Sequence, residues 1–133
     1  MKVVKSVIWF GCCLLVFLGC KPSDHYVGEW YALSAEGEQV MIHFSKDKEM
    51  TITDHTTEHQ ETFSIGQTGG GIVDSMSYYA ILIDGASYFL VFENRKDESN
   101  AILIKQTNFA NEFEHVVGDI VYRLNRKDFP VSN

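Results

Sequence analysis

From Tyr26 to the C-terminus the chain breaks into short segments of alternating apolar and polar residues, and no stretch carries a long helical pattern. Between Gln39 and Ser45, Val40, Ile42 and Phe44 fall on one face and Met41 and His43 on the other, the two-residue period of a half-buried strand. Turn signals recur at regular short intervals. Lys46-Asp47-Lys48 separates that segment from Glu49–Asp54, and Asp84-Gly85-Ala86 separates two segments rich in aromatic and β-branched residues, Ser77–Ile83 and Ser87–Glu93. Further strands are expected over Tyr26–Leu33, Glu58–Ile65, Ala101–Lys105 and Asp119–Arg126, the last with Ile120, Tyr122 and Leu124 on one face. The glycines of Gly66–Gly71 read as a break. Phe109, Phe113 and Val117 are spaced by four, so Asn108–His115 reads either as irregular chain or as a short helix. About eight consecutive strands with short connections predict an all-β antiparallel meander closing into a small barrel that removes its own edges, with a two-sheet sandwich as the alternative.

The first residues have a different character. Lys2 and Lys5 precede an apolar run from Val7 to Leu18, and polar Lys21-Pro22-Ser23-Asp24 follows. The uncharged stretch from Ser6 to Cys20 is shorter than the roughly 20 residues that span a bilayer, so it reads as an export signal. Phe17-Leu18-Gly19-Cys20 resembles the lipobox of bacterial lipoproteins. That resemblance implies a signal peptide over residues 1–19, cleavage before Cys20 and acylation of Cys20, palmitate included. It also implies a lipidated tether over residues 20–25 and a folded domain over 26–133. The membrane is then a partner through Cys20. With Lys21 rather than aspartate after the cysteine, the cell outer membrane facing the periplasm is the implied site in a Gram-negative host.

Cysteine usage agrees with that organisation. Cys12 and Cys13 lie in the cleaved segment and Cys20 is the acylation site, so the exported domain would hold neither thiol nor disulfide. Its stability must come from packing. Cleavage also removes Lys2 and Lys5, which leaves 9 basic residues against 18 acidic ones and a formal net charge of −9. Such a domain is repelled by phosphate backbones, which argues against a nucleic-acid partner.

Gly28-Glu29-Trp30 in the first strand and Arg123 in the last resemble the lipocalin-like, or calycin, pattern. In that pattern a Gly-x-Trp enters the barrel and an arginine from the closing strand packs over the tryptophan. The resemblance implies that Trp30 plugs one end, with Arg123 adding a cation–π contact of about 0.5–2 kcal/mol. The domain is shorter than a typical lipocalin and lacks its disulfide, and it is more similar to the small lipocalin-like domains of bacterial lipoproteins.

Reactive constellations are sparse. His55 and His59, flanked by Asp54 and Glu58, have a spacing that suits a metal only on a helix, and here they bracket a turn. His43 and His115 have no defined partners, no serine stands in Gly-x-Ser-x-Gly, and Gly69-Gly70-Gly71 does not lead into a helix. The expected protein is therefore non-enzymatic and needs no cofactor. It would bind a small apolar ligand or an envelope component. The alternative is an acidic inhibitor or immunity-type lipoprotein that captures a basic envelope-directed enzyme or toxin. Tyr78, Tyr79, Tyr88, Phe89 and Phe92 supply aromatic surface to both faces of the central hairpin.

Overall fold

Side-chain alternation, repeated strand after strand, produces a single sheet that closes on itself. The computed structural model describes residues 25–110 and 112–131. It contains eight strands: β1 Gly28–Ser34, β2 Gln39–Phe44, β3 Glu49–Asp54, β4 Gln60–Val73, β5 Met76–Ile83, β6 Ala86–Phe92, β7 Asn100–Gln106 and β8 Gly118–Asn125. Each pairs antiparallel with its neighbour in sequence, and β8 pairs with β1, giving a closed barrel. The expected meander is observed, and closure leaves no unpaired edge. No helix among the described residues is long and apolar enough to cross a membrane.

Hairpin connections follow local chemistry. Asp84 and Gly85 both take positive φ (53° and 82°), and Ile83 pairs with Ala86, so two residues make the β5–β6 turn with the twist its strands require. The Ser34 hydroxyl accepts the backbone N–H groups of Glu36 and Glu38 and fixes the β1–β2 turn. Ser45 does the same for Asp47 and Glu49 between β2 and β3.

The glycine-rich segment departs from expectation. Gly66–Gly71 is not a break but the middle of β4, the longest strand at 14 residues, with a register shift between Gln67 and Gly69. Two of the glycines, Gly70 and Gly71, serve close approach instead. A Cβ on Gly70 would stand 2.8 Å from the Tyr78 carbonyl oxygen, and one on Gly71 would stand 3.1 Å from the Tyr78 hydroxyl. A second register shift, between Ile120 and Tyr122, changes the reading of the last strand. Ile120 pairs with Ile104, whereas Tyr122 and Leu124 pair with Leu103 and Ala101 of the core, so Ile120 lies on the outer face.

Asn108–His115 contains only a 3-10 turn, Phe113–His115. Phe113 stacks on Tyr78, with ring centroids 4.1 Å apart and planes at 7°, and lies 5.5 Å from Phe89. The long β7–β8 connection therefore covers the outward aromatics of the β5–β6 hairpin. On the opposite side the C-terminal tail turns back. Asn125 Oδ1 accepts the N–H groups of Lys127 and Asp128, and Phe129 packs edge-on against Tyr31 at 5.0 Å.

The core is one cluster running inside the barrel from Tyr26 to Leu124, and no polar or charged residue among those described is buried. Among the described residues, all strand pairings and all buried side chains lie within residues 26–125, so the barrel is a self-contained folding unit.

Candidate functional site: an open barrel mouth above an aromatic plug

The two ends of the barrel differ. At the end where the chain enters, five large rings fill the interior: Tyr26, Trp30, Phe44, Tyr79 and Phe92, all buried. They meet mainly edge to face, with Tyr26 5.2 Å from Phe44 and 5.3 Å from Tyr79, and Trp30 6.0 Å from Phe92. The Trp30 indole donates its N–H to the Tyr26 carbonyl at 3.0 Å, which satisfies the one polar group this fully buried side chain carries.

Arg126 covers the plug. Its guanidinium carbon lies 3.9 Å from the Trp30 ring centroid. Nη1 donates to the Glu29 carbonyl at 3.1 Å, and Nη2 donates to those of His25 and Val27 at 2.9 and 3.2 Å. Gly28, at φ +118°, makes room for it, since a Cβ there would stand 2.9 Å from Arg126 Nη1. Burial lowers the Arg126 pKa from its ordinary value, and the nearby Glu98 opposes that shift.

The arginine expected in this position, Arg123, is elsewhere. It pairs with Leu33 and Ile102 and is exposed. The reason is parity. Tyr122 and Leu124 point inward, so Arg123 points outward, and the next cation on the inner parity is Arg126, just past the end of β8. The structure thus places Gly28 and Trp30 at the sealed end and sets Arg126, not Arg123, over the indole. The alternation Tyr122, Leu124, Arg126 was visible in the sequence and was the signal that could have found it.

The opposite end is open. A cavity of about 510 Å³ enters the barrel there. Its inner lining includes apolar Met50, Ile52, Phe63, Ile83 and Leu103, with Tyr88 and Tyr122 beside them, while polar side chains line the outer part. Met50 and Leu103 belong to the core, so the cavity reaches the level where the packed interior begins. Neither tyrosine hydroxyl receives a hydrogen bond from another described residue. Glu36, Glu38, Glu61 and Asp84 stand at the rim, with Lys105 as the one cation in the lining. The Tyr122 pKa is raised, first by burial and then by the negative field of Glu38, Glu36 and Glu61, with a smaller contribution from Tyr88. A larger groove of about 690 Å³ separates the C-terminal tail from the outer surface near Leu33 and Gln39. It is bounded by the chain's own tail and does not enter the barrel, so the mouth is the better candidate for a small ligand.

The histidines are dispersed. His55 lies 4.8 Å from the Phe129 ring and His59 lies 3.7 Å from Glu61. His43 is exposed on β2, and His115 lies 3.5 Å from Glu112. Asp54, between the two hairpin-tip segments, accepts the N–H groups of Thr56 and Thr57, both at 2.8 Å. No group of three or more His, Cys, Asp or Glu among the described residues could hold a metal ion. Cys20 lies outside the described residues.

When the chain is compared with known proteins, no family model, no curated protein and no solved structure matches it.

Proposed function

We propose that the protein is a lipid-anchored, non-enzymatic envelope lipoprotein with a lipocalin-like barrel that takes a small apolar molecule into its open mouth. The observation that carries this reading is the division of the barrel interior. Aromatic rings seal one end, while the other holds a cavity of about 510 Å³ with an apolar floor. That volume lies in the range of about 300–1,000 Å³ common for small-molecule sites. Each Å² of apolar ligand surface removed from water there contributes roughly 25 cal/mol before ordering costs.

The anchor fits the same picture. His25 enters beside Arg126 at the sealed end, and an acylated Cys20 five residues earlier could reach no more than about 18 Å from it. In this reading the plug faces the membrane and the mouth faces away, open to the periplasm if the host is Gram-negative. Binding rather than acid–base work is favoured because Glu36, Glu38 and Glu61 stand exposed at the rim and not in an apolar recess.

The test uses a soluble form beginning at Lys21, which retains the whole barrel. It should bind a neutral hydrophobic naphthylamine probe with a rise in fluorescence. Ile52→Trp, which fills the mouth, should lose that signal while keeping the wild-type circular dichroism. Absence of uptake by the wild-type domain would overturn the reading.

A further inference from the structure

We propose that the mouth selects its ligand by charge and takes a cationic amphiphile: an apolar chain or ring seated on the Met50–Leu103 floor with an ammonium head at the glutamate rim. The inference rests on the mouth being a ligand site and adds the chemical class of what enters.

Three features of the cavity point the same way. Its depth is apolar, so the inserted part of a ligand must be apolar too. Its rim is acidic and held in place. The Ser34 hydroxyl takes the N–H groups of Glu36 and Glu38 at 3.2 and 3.0 Å, so both carboxylates project from a pinned turn rather than a mobile loop. Glu61 stands opposite Ile52 in the β3–β4 register, at the lip of the same opening. No ion pair among the described residues engages Glu36, Glu38 or Asp84, and Glu61 meets only exposed His59. Lys105, the single opposing charge in the lining, stands opposite Asp119 in the β7–β8 register.

Between floor and rim stand Tyr88 and Tyr122, whose ring faces attract a cation and whose hydroxyls are free to accept from one. The Tyr122 pKa is raised first by burial and then by Glu38, Glu36 and Glu61, so these three carboxylates all act on a hydroxyl that lines the opening. An anionic head would meet those fields at the entrance, and a neutral one would gain nothing from them.

The experiment titrates the soluble form, loaded with the neutral naphthylamine probe, with decyltrimethylammonium, decanol and decyl sulfate, each below its micellar concentration. The apolar parts match, so differences report the head group. At low salt the cation should displace the probe at about tenfold lower concentration than decanol, the gain expected from a few solvent-exposed charge contacts, with decyl sulfate weakest. Half-molar salt should shrink that gap. The triple variant Glu36→Gln, Glu38→Gln, Glu61→Gln should bring the cation to within about threefold of decanol. Equal displacement by cation and alcohol, tighter binding of the sulfate, or a preference that survives both salt and the triple variant would overturn the charge selection while leaving the apolar site standing. If the probe itself never binds, both proposals fall.

Discussion

The Arg126 guanidinium lies over Trp30, 3.9 Å from ring centroid to Cζ, while its nitrogens donate to three backbone carbonyls of the entering chain. One side chain thus does two jobs. It covers the indole that seals the barrel, and it ties the segment before β1 to the segment after β8. Neither job depends on an acidic partner, since every hydrogen bond it donates ends on a main-chain oxygen.

Removing that side chain should therefore be costly. Arg126→Ala leaves three carbonyls without their donor and uncovers the indole, for an expected loss of about 2–3 kcal/mol in urea unfolding. Arg126→Lys should recover only part of it, because an ammonium lacks the planar fork. Arg123→Ala, on the exposed outer face, should change stability by no more than about 0.5 kcal/mol. A larger effect at position 123 than at 126 would contradict the assignment.

Gly28 offers an independent check on the same contact. At φ +118° an alanine is strained, and its Cβ would also stand 2.9 Å from Arg126 Nη1. Gly28→Ala should cost about 1–3 kcal/mol. In the Arg126→Ala background the clash disappears and only backbone strain remains, so the two losses should add to less than their sum. Strict additivity would show that the glycine acts through its backbone alone.

Acid should weaken the barrel through two pinned aspartates. The carboxyl of Asp54 is held below its ordinary value of 3.8 chiefly by the N–H groups of Thr57 and Thr56, and that of Asp97 by its hydrogen bonds with Ser99 and Asn100. A carboxyl whose pKa falls on folding contributes stability that is fully present above the unfolded value. That stability is lost as pH drops through the folded one. The melting temperature should thus hold near neutrality and fall below pH 3.8. The Asp97→Asn variant should show a shallower fall over that interval, and an unchanged slope would remove Asp97 from the account.

On the outer wall, the tail packs through Phe129, which meets Tyr31 edge-on and stands 4.8 Å from the His55 ring. Phe129→Ala should cost about 1 kcal/mol and expose Leu33, which is only 8% accessible in the intact protein. Hydrogen exchange should then quicken in β1 before it does in β5 or β6. Uniform acceleration would mean that the tail supports the barrel globally.

The anchor has its own measurement. In the native host, labelled palmitate should enter the wild-type chain and not the Cys20→Ser variant, and the wild type should fractionate with membranes. Label in both, or in neither, would remove the lipid anchor and the orientation of the mouth with it.

The antiparallel order and a count of about eight strands were legible from the residues alone, because both depend on local terms: a two-residue hydrophobic period, turn residues every few positions and connections too short for crossovers. Closure was the favoured arrangement beside a two-sheet sandwich, and the β8–β1 pairing decided it. Trp30 as a plug was expected from the resemblance carried by Gly28-Glu29-Trp30, not from those local terms. What tertiary structure decided were the features that depend on distant segments meeting. Gly69–Gly71 signals a break in isolation, yet the strand runs through it, and the Tyr78 backbone and ring lie so close to Gly70 and Gly71 that a side chain at either would crowd them. The shift beside Tyr122 turned Ile120 outward, and parity past the strand end gave the tryptophan to Arg126. The mouth was the least legible feature. Its walls come from residues as far apart as Met50 and Tyr122, and whether side chains of a given volume fill a barrel or leave space depends on its diameter and stagger, which only closure sets.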